Sequence, residues 1–138
     1  MQLTRQTEYA IRTLIELVRA PEGVMVNSKA IAEKHNLPEK FLNKTIQILA
    51  RAGLVETRRG MQGGIRLAVS PDSLKIADVL AAIEGKLALN PCLGGDYHCE
   101  NQYLCPVRKV LQRTQEAILA ELSKETFADL AKGEVTCE

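Results

Sequence analysis

Apolar side chains recur along the first part of the chain with a helical period. Ile11, Leu14, Ile15 and Val18 fall at i, i+3, i+4 and i+7, which predicts a helix from Thr4 to Arg19 with that face buried. Glu8 and Arg12 lie four apart on another face, and Pro21-Glu22-Gly23 ends the helix. A second helix is expected from Lys29 to His35, capped by Asn27 or Ser28. Asn36-Leu37-Pro38 then makes a tight turn, with Pro38 placed as the first residue of a third helix running to about Ala52. Its inward stripe is Leu42, Thr45, Ile46 and Leu49. Its outward stripe is Lys40, Asn43, Lys44, Gln47 and Arg51, one continuous polar face, and Gly53 is the stop signal.

Beyond Gly53 the period shortens. Two strand-like runs, 54–58 and 65–68, are joined by Arg59-Gly60-Met61-Gln62-Gly63-Gly64, the pattern of a β-hairpin. Pro71-Asp72 is expected to open a fourth helix lined by Ile76, Val79, Leu80 and Ile83 and closed by Gly85. Residues 86–104 show no clear period. A last long helix starts near Pro106, with Val107, Val110, Leu111, Thr114, Ala117, Ile118 and Leu122 in a near-heptad seam that calls for a partner. The tail after Ala131 is expected to fray. These elements predict a mainly α chain with a small β-hairpin wing. Residues 1–70 form a winged helix-turn-helix. Residues 71–138 hold a linker helix, a cysteine loop and a long C-terminal dimerisation helix.

Composition sharpens this picture. The 138 residues are 46% hydrophobic but only 4% aromatic, with no Trp, which suits a core of Leu, Ile, Val and Ala between helices. No apolar run is long enough to span a bilayer, and Met1-Gln2-Leu3-Thr4-Arg5 is not followed by a signal-peptide apolar region, so a cytoplasmic protein is expected. The net charge of +1 conceals an asymmetry: residues 1–69 carry 11 Lys/Arg and 6 Asp/Glu, residues 70–138 carry 7 and 11. A basic first half suits a polyanion.

The basic residues fall where a DNA reader needs them. A major groove admits one helix, and sequence is read by side chains that reach base edges. On the third helix Lys40 and Lys44 can donate to guanine or phosphate, Asn43 and Gln47 can pair with adenine edges, and Arg51 extends the row. Phe41 would touch a thymine methyl or close the turn. Arg58, Arg59 and Arg66 make the wing basic, and Gly60, with Gly63 and Gly64, lets its backbone approach a duplex. No nucleophile–base pair or carboxylate constellation stands out, and two His residues give little general-base capacity, so no enzyme is expected.

The second chemical feature is Cys92-x6-Cys99-x5-Cys105: three of the chain's four cysteines lie within 14 positions. Zinc sites commonly use close C-x2-C pairs, which are missing here. Looser spacing suits an iron–sulfur cluster. Cys105-Pro106 marks a helix start, where the dipole favours a thiolate. Cys137, next to the C-terminal residue, reads as incidental; His98, beside Cys99, reads as a loop residue with a ligand role as the alternative, and His35 as a helix-end residue rather than a ligand.

Together these features resemble the IscR/NsrR-type family of iron–sulfur winged-helix regulators. The carrying residues are Met1-Gln2-Leu3-Thr4, Tyr9-Ala10, Leu42, the Arg-Ala-Gly-Leu-Val run at 51–55, Arg59-Gly60, Gly63-Gly64-Ile65-Arg66-Leu67 and the cysteine loop. The resemblance implies a homodimer joined through the C-terminal helices, with a cluster near the interface. One branch of the family completes a [2Fe–2S] site with a His just after the third cysteine, a stretch occupied here by Val107, Arg108 and Lys109. Another completes a [4Fe–4S] site with an acidic residue of the first helix of the other subunit, and Glu8 occupies that place. Glu8 equally suits an i, i+4 ion pair with Arg12. The expectation is a transcriptional regulator, more a repressor than an activator, that binds a pseudo-palindromic operator. Its DNA affinity would respond to nitric oxide, oxygen or iron status through a cluster, [4Fe–4S] in preference to [2Fe–2S], held by Cys92, Cys99, Cys105 and Glu8. The rivals are a regulator of the same fold working by thiol oxidation or a bound metabolite, and a small iron–sulfur carrier or scaffold.

Overall fold

The computed structural model describes residues 2–133. Cys137 and the last residues of the expected frayed tail lie outside the described residues. Six α-helices and one hairpin follow in the order α1 (Arg5–Arg19), α2 (Ser28–His35), α3 (Glu39–Arg51), β1 (Val55–Arg58), β2 (Gly64–Leu67), α4 (Ile76–Glu84), α5 (Pro106–Glu121) and α6 (Phe127–Lys132). A short 3-10 turn, Pro91–Leu93, precedes α5.

Local chemistry sets most boundaries. The Thr7 amide donates to Thr4 Oγ1 at the start of α1 (3.2 Å), and the Lys29 amide donates to Asn27 Oδ1 at the start of α2 (2.8 Å). Asn36 closes α2 in the left-handed region, at φ +52°, and Leu37 N–H reaches back to Ala32 O (2.8 Å). Pro38 is the residue before α3 rather than its first helical residue, one position from the expectation.

α1 sits at the centre of the fold, packed by α2, α3, α4, α6 and β2. Its buried residues are Thr7, Ala10, Thr13, Leu14 and Leu17. Of the predicted stripe only Leu14 is fully buried; Ile11, Ile15 and Val18 are half-buried along its edge. The face has rotated because α1 is approached from several sides, where small and hydroxyl side chains permit the closest packing. The Thr13 hydroxyl is satisfied by Tyr9 O (2.7 Å), and Thr45 on α3 likewise donates to Phe41 O (3.1 Å). α3 buries Leu42, Thr45, Ile46 and Leu49, as its periodicity predicts.

Two departures share one cause. α4 begins at Ile76, not at Pro71-Asp72, and the segment after α5 folds back as α6, which the sequence reading missed. Phe127 is fully buried. Phe127 N–H donates to Leu74 O (2.8 Å), Ala128 N–H to Pro71 O (3.1 Å) and Ala77 N–H to Leu122 O (3.2 Å). Pro71 and Leu74 therefore spend their carbonyls on the α6 segment, and Ala77 its N–H on the end of α5, instead of on a longer helix. Lys75 is extended and bridges Thr126, and its amide donates to Asp78 Oδ2 (2.9 Å). Thr126 and Asp129 cap α6 reciprocally. Leu74, Val79 and Phe127 join the α1 and α3 side chains in one buried cluster.

Glu16 of α1 anchors α2. Lys34 Nζ lies 2.8 Å from its carboxylate and His35 Nε2 3.1 Å. The Lys34 hydrogen bond, seconded by His35, holds the Glu16 carboxyl below the usual range despite partial burial. A depressed folded-state pKa adds stability that is complete above the unfolded carboxyl pKa and disappears as pH falls through the folded value. Glu16→Gln is therefore expected to cost roughly 1–2 kcal/mol at neutral pH, and that deficit is expected to shrink at acid pH, once below the ordinary carboxyl value of about 4.3. Urea unfolding at both pH values checks this, and an equal deficit at both would refute it.

Candidate nucleic-acid interface and cysteine site

Because α3 buries one face against α1, the opposite row is forced outward. Lys40, Asn43, Lys44, Gln47 and Arg51 are all exposed. Arg58, Arg59 and Gly60 are exposed on the wing. Among the described residues Lys40, Lys44, Arg51, Arg58 and Arg59 enter no ion pair, so their charge is free for an outside partner. Arg66 differs. It sits opposite Glu56 in the hairpin register and binds it at 2.7 Å. Phe41 stacks edge-to-face on Tyr9, with centroids 5.5 Å apart, so it closes the turn against α1 while keeping an exposed edge.

The wing is pinned to the helical body. β1 and β2 pair antiparallel from Val55↔Leu67 to Arg58↔Gly64, and Val26 bridges Ile65 through two 2.8 Å hydrogen bonds. Two glycines are obligatory. A Cβ on Gly63 would lie 2.2 Å from Arg58 O, and one on Gly64 would lie 2.5 Å from Val26 O. The turn Gly60–Gly63 closes with a 3.0 Å hydrogen bond from Gly63 N–H to Gly60 O.

The three loop cysteines are free and half-buried. Cys92 lies in the 3-10 turn, where Asn90 Nδ2 donates to its sulfur (3.2 Å). Cys105 is the N-cap of α5, and the Arg108 amide donates to its sulfur (3.4 Å). Arg108 Nε also reaches Cys92 O (3.4 Å), so one residue links the two ends of the loop. Cys99 lies between them beside exposed His98, its carbonyl accepting from Gln102 N–H (3.1 Å). Among the described residues no three His, Cys, Asp or Glu side chains converge to hold a metal ion within one chain. The donor chemistry nevertheless fits a thiophilic group: three thiols without a disulfide partner, one at a helix N-terminus whose amide already donates to sulfur. Glu8 is half-exposed on α1 and paired with Arg12. His35 is taken up by Glu16.

The expected seam of α5 divides into two faces. Arg108, Leu111, Gln115, Ile118 and Leu122 are half-buried; Leu111 is flanked by Arg108, bound to Cys92 O, and Gln115, which accepts from Leu89 N–H (3.1 Å). Val107 (61% exposed), Val110 (51%), Thr114 and Ala117 form a second stripe open to solvent. No residue of α5 is fully buried.

The sequence reading also missed Glu84. Its carboxylate accepts from Thr7 Oγ1 (2.5 Å), Thr4 N (3.0 Å) and Thr4 Oγ1 (2.9 Å) and so clamps the end of α4, just ahead of the cysteine segment, to the start of α1. The Thr7 hydroxyl, followed by the Thr4 amide, lowers its pKa. No local pattern announces this pairing across 80 positions.

Comparison with known proteins places this arrangement. Residues 3–133 match the model of the Rrf2 family, described as an iron-dependent transcriptional regulator. This chain belongs to the Rrf2 family. The HTH-type transcriptional regulator NsrR of Bacillus licheniformis is 35% identical over 131 residues, 94% of this chain and 92% of that protein. Among solved structures, CymR, the global cysteine regulator of B. subtilis, superposes with a TM-score of 0.79 at 26% identity, covering 96% of this chain and 98% of that one. T. potens IscR does so at 0.77 and 26%, covering 100% and 93%. These relatives make the chain a winged-helix, DNA-binding transcriptional regulator of a non-enzymatic family. Among the described residues no helix is long and apolar enough to cross a membrane.

The glycine requirement yields a direct expectation for this Rrf2-family wing. Gly64→Ala forces Val26 and Ile65 apart, so amide exchange at those two residues should accelerate at least tenfold while α5 amides stay unchanged. Exchange measured by NMR at neutral pH decides it. Unchanged protection at Val26 would contradict the close approach.

Proposed function

We propose that this chain is a homodimeric repressor that reads a pseudo-palindromic operator through Lys40, Asn43, Lys44, Gln47 and Arg51 of α3, with Arg58, Arg59 and Gly60 of the wing on the flanking backbone. The observation that carries this reading is the exposed polar row without ion-pair partners, set beside a glycine-shaped basic wing. Phe41 offers an apolar edge at the start of α3. Arg66 acts through Glu56 as a brace of the wing more than as a free cation. Residues 1–70 supply the DNA-reading unit. Residues 71–138 supply the linker helix, the cysteine site and, through the open stripe of Val107, Val110, Thr114 and Ala117, the dimer contact.

The same proposal assigns Cys92, Cys99 and Cys105 as ligands of an iron–sulfur cluster, [4Fe–4S] in preference to [2Fe–2S], with Glu8 of the partner subunit as the fourth ligand. Such a cluster, when bound, supplies sensitivity to nitric oxide, oxygen and iron supply. The chain's own part is mechanical. Cys92 and Cys105 belong to segments that Arg108 already joins, and Glu84 connects the preceding helix to α1. Drawing the loop taut therefore biases the placement of α1 and, through the dimer, the separation of the two α3 helices. Support comes from the donor chemistry and from the likeness to NsrR and IscR.

A second reading keeps the fold and the DNA site but senses oxidation at the thiols themselves. It is favoured by the three free, half-buried thiols and by the likeness to CymR.

Iron and sulfide per chain after anaerobic purification separate the two. The cluster reading expects Cys92→Ala, Cys99→Ala and Cys105→Ala each to lose most of the iron, with Glu8→Ala retaining it but bleaching faster in air. Full iron content in Cys99→Ala would remove the assignment, and iron-free wild type would favour the thiol reading. For DNA, Asn43→Ala should cost about 1–3 kcal/mol at one operator position. Arg59→Ala should weaken all sequences alike and lower the salt slope by about one unit. Titrations against operator and scrambled duplexes across a salt series test both, and equal binding of every protein to every duplex would reject α3 as the reading helix.

A further inference from the structure

We propose that Met61, at the corner of the wing, is an apolar wedge for the DNA minor groove that flanks the half-site read by α3. The proposal rests on the DNA reading above and adds to it a residue that carries no charge.

Met61 is fully exposed, at 106% of its reference area, the highest value among the exposed large hydrophobic residues described. A lone exposed apolar side chain is ordinary on a protein surface. Its setting is not ordinary. The turn Gly60–Gly63 is closed by its own hydrogen bond, Gly60 has φ +102°, and Gly63 has no room for a Cβ, so the turn is tight. Met61 is thus held away from the body instead of lying down on neighbouring apolar surface. Arg58 and Arg59 precede it, exposed and without ion-pair partners among the described residues, while Arg66 behind them is neutralised by Glu56. Free positive charge therefore sits next to the tip and draws it toward phosphates.

Geometry selects the groove. Ala52, Gly53 and Leu54 alone separate α3 from β1. A four-residue strand then carries the tip roughly 13 Å further, at about 3.3 Å per residue. With α3 in the major groove, that reach is long enough for the tip to cross one phosphate ridge to the adjoining minor groove. This groove is only about 6 Å wide. It admits a slender, unbranched and polarisable side chain on a tight turn. Methionine is among the side chains that wedge between base steps from the minor groove. The deformation is least costly at flexible pyrimidine–purine steps, so Met61 contributes preference at positions that α3 does not touch.

The test uses the full chain purified without oxygen. Its probes are a duplex selected from a random library by the wild type, a scrambled duplex of equal composition, and 2-aminopurine placed at the steps flanking each half-site. Met61→Ala and Met61→Gln are expected to lose about 5- to 30-fold in affinity for the selected duplex. The salt slope should not change, binding to scrambled DNA should stay within about twofold, and the 2-aminopurine enhancement should disappear. Met61→Leu should restore both affinity and fluorescence. Wild-type affinity and fluorescence in Met61→Ala would overturn the wedge, as would an equal loss on both duplexes, which would assign Met61 to wing shape alone. Failure of the wild type to distinguish the two duplexes would overturn the DNA reading itself, and the wedge with it.

Discussion

Burial of α3 against α1 is the constraint on which the other features depend. Leu42, Ile46 and Leu49 enter the same cluster as Ala10, Leu14 and Leu17, and buried Thr7, Thr13 and Thr45 allow close helix approach without orphaned hydroxyls. Once that face is buried, a helix of 3.6 residues per turn has no choice about the direction of Lys40, Asn43, Lys44, Gln47 and Arg51. The same burial fixes the exit of α3 and hence the origin of the wing.

Peripheral elements are tied to α1 by single polar clamps. Glu16 holds α2 through Lys34 and His35, Glu84 holds the end of α4 through Thr4 and Thr7, and Arg19 Nε donates to Ala131 O near the end of α6 (3.3 Å). These clamps are few and partly hydrated, so they orient elements more than they stabilise them. α5 is the exception. It has no fully buried residue and meets the rest of the chain mainly through the 3-10 turn that contains Cys92. Such an arrangement leaves α5 with few ties to the body beyond the hydrogen bond from Ala77 N–H to Leu122 O. Sparse packing of that kind suits the proposed sensing step, whether the thiols hold a cluster or act alone.

The legible parts of the fold are those written in short-range chemistry. The buried stripe of α3 occurs as predicted, and so do the Asn27 cap and the paired strands with their Gly-rich turn. The less legible parts involve choices between competing surfaces. Ile11, Ile15 and Val18 are apolar at helical spacing, yet the deepest face of α1 is shifted toward Thr7, Ala10 and Thr13, because several elements converge on it. The Thr126–Asp129 cap is a local signal, but the helix it opens is only six residues long and is held by the burial of Phe127 and its bond to Leu74 O, which no local period records.

By itself the sequence determined the family likeness, the polar row of α3, the wing and the grouping of three cysteines, because each follows from residue spacing within one element or one turn. Tertiary structure decided that Arg66 is neutralised by Glu56 while Arg58 and Arg59 enter no ion pair among the described residues. It decided that α4 starts at Ile76 because α6 takes the carbonyls of Pro71 and Leu74. It also decided that α5 presents two faces rather than one seam. Those outcomes depend on partners up to tens of positions away, and a helical period records which side chains share a face but not which surface will meet it.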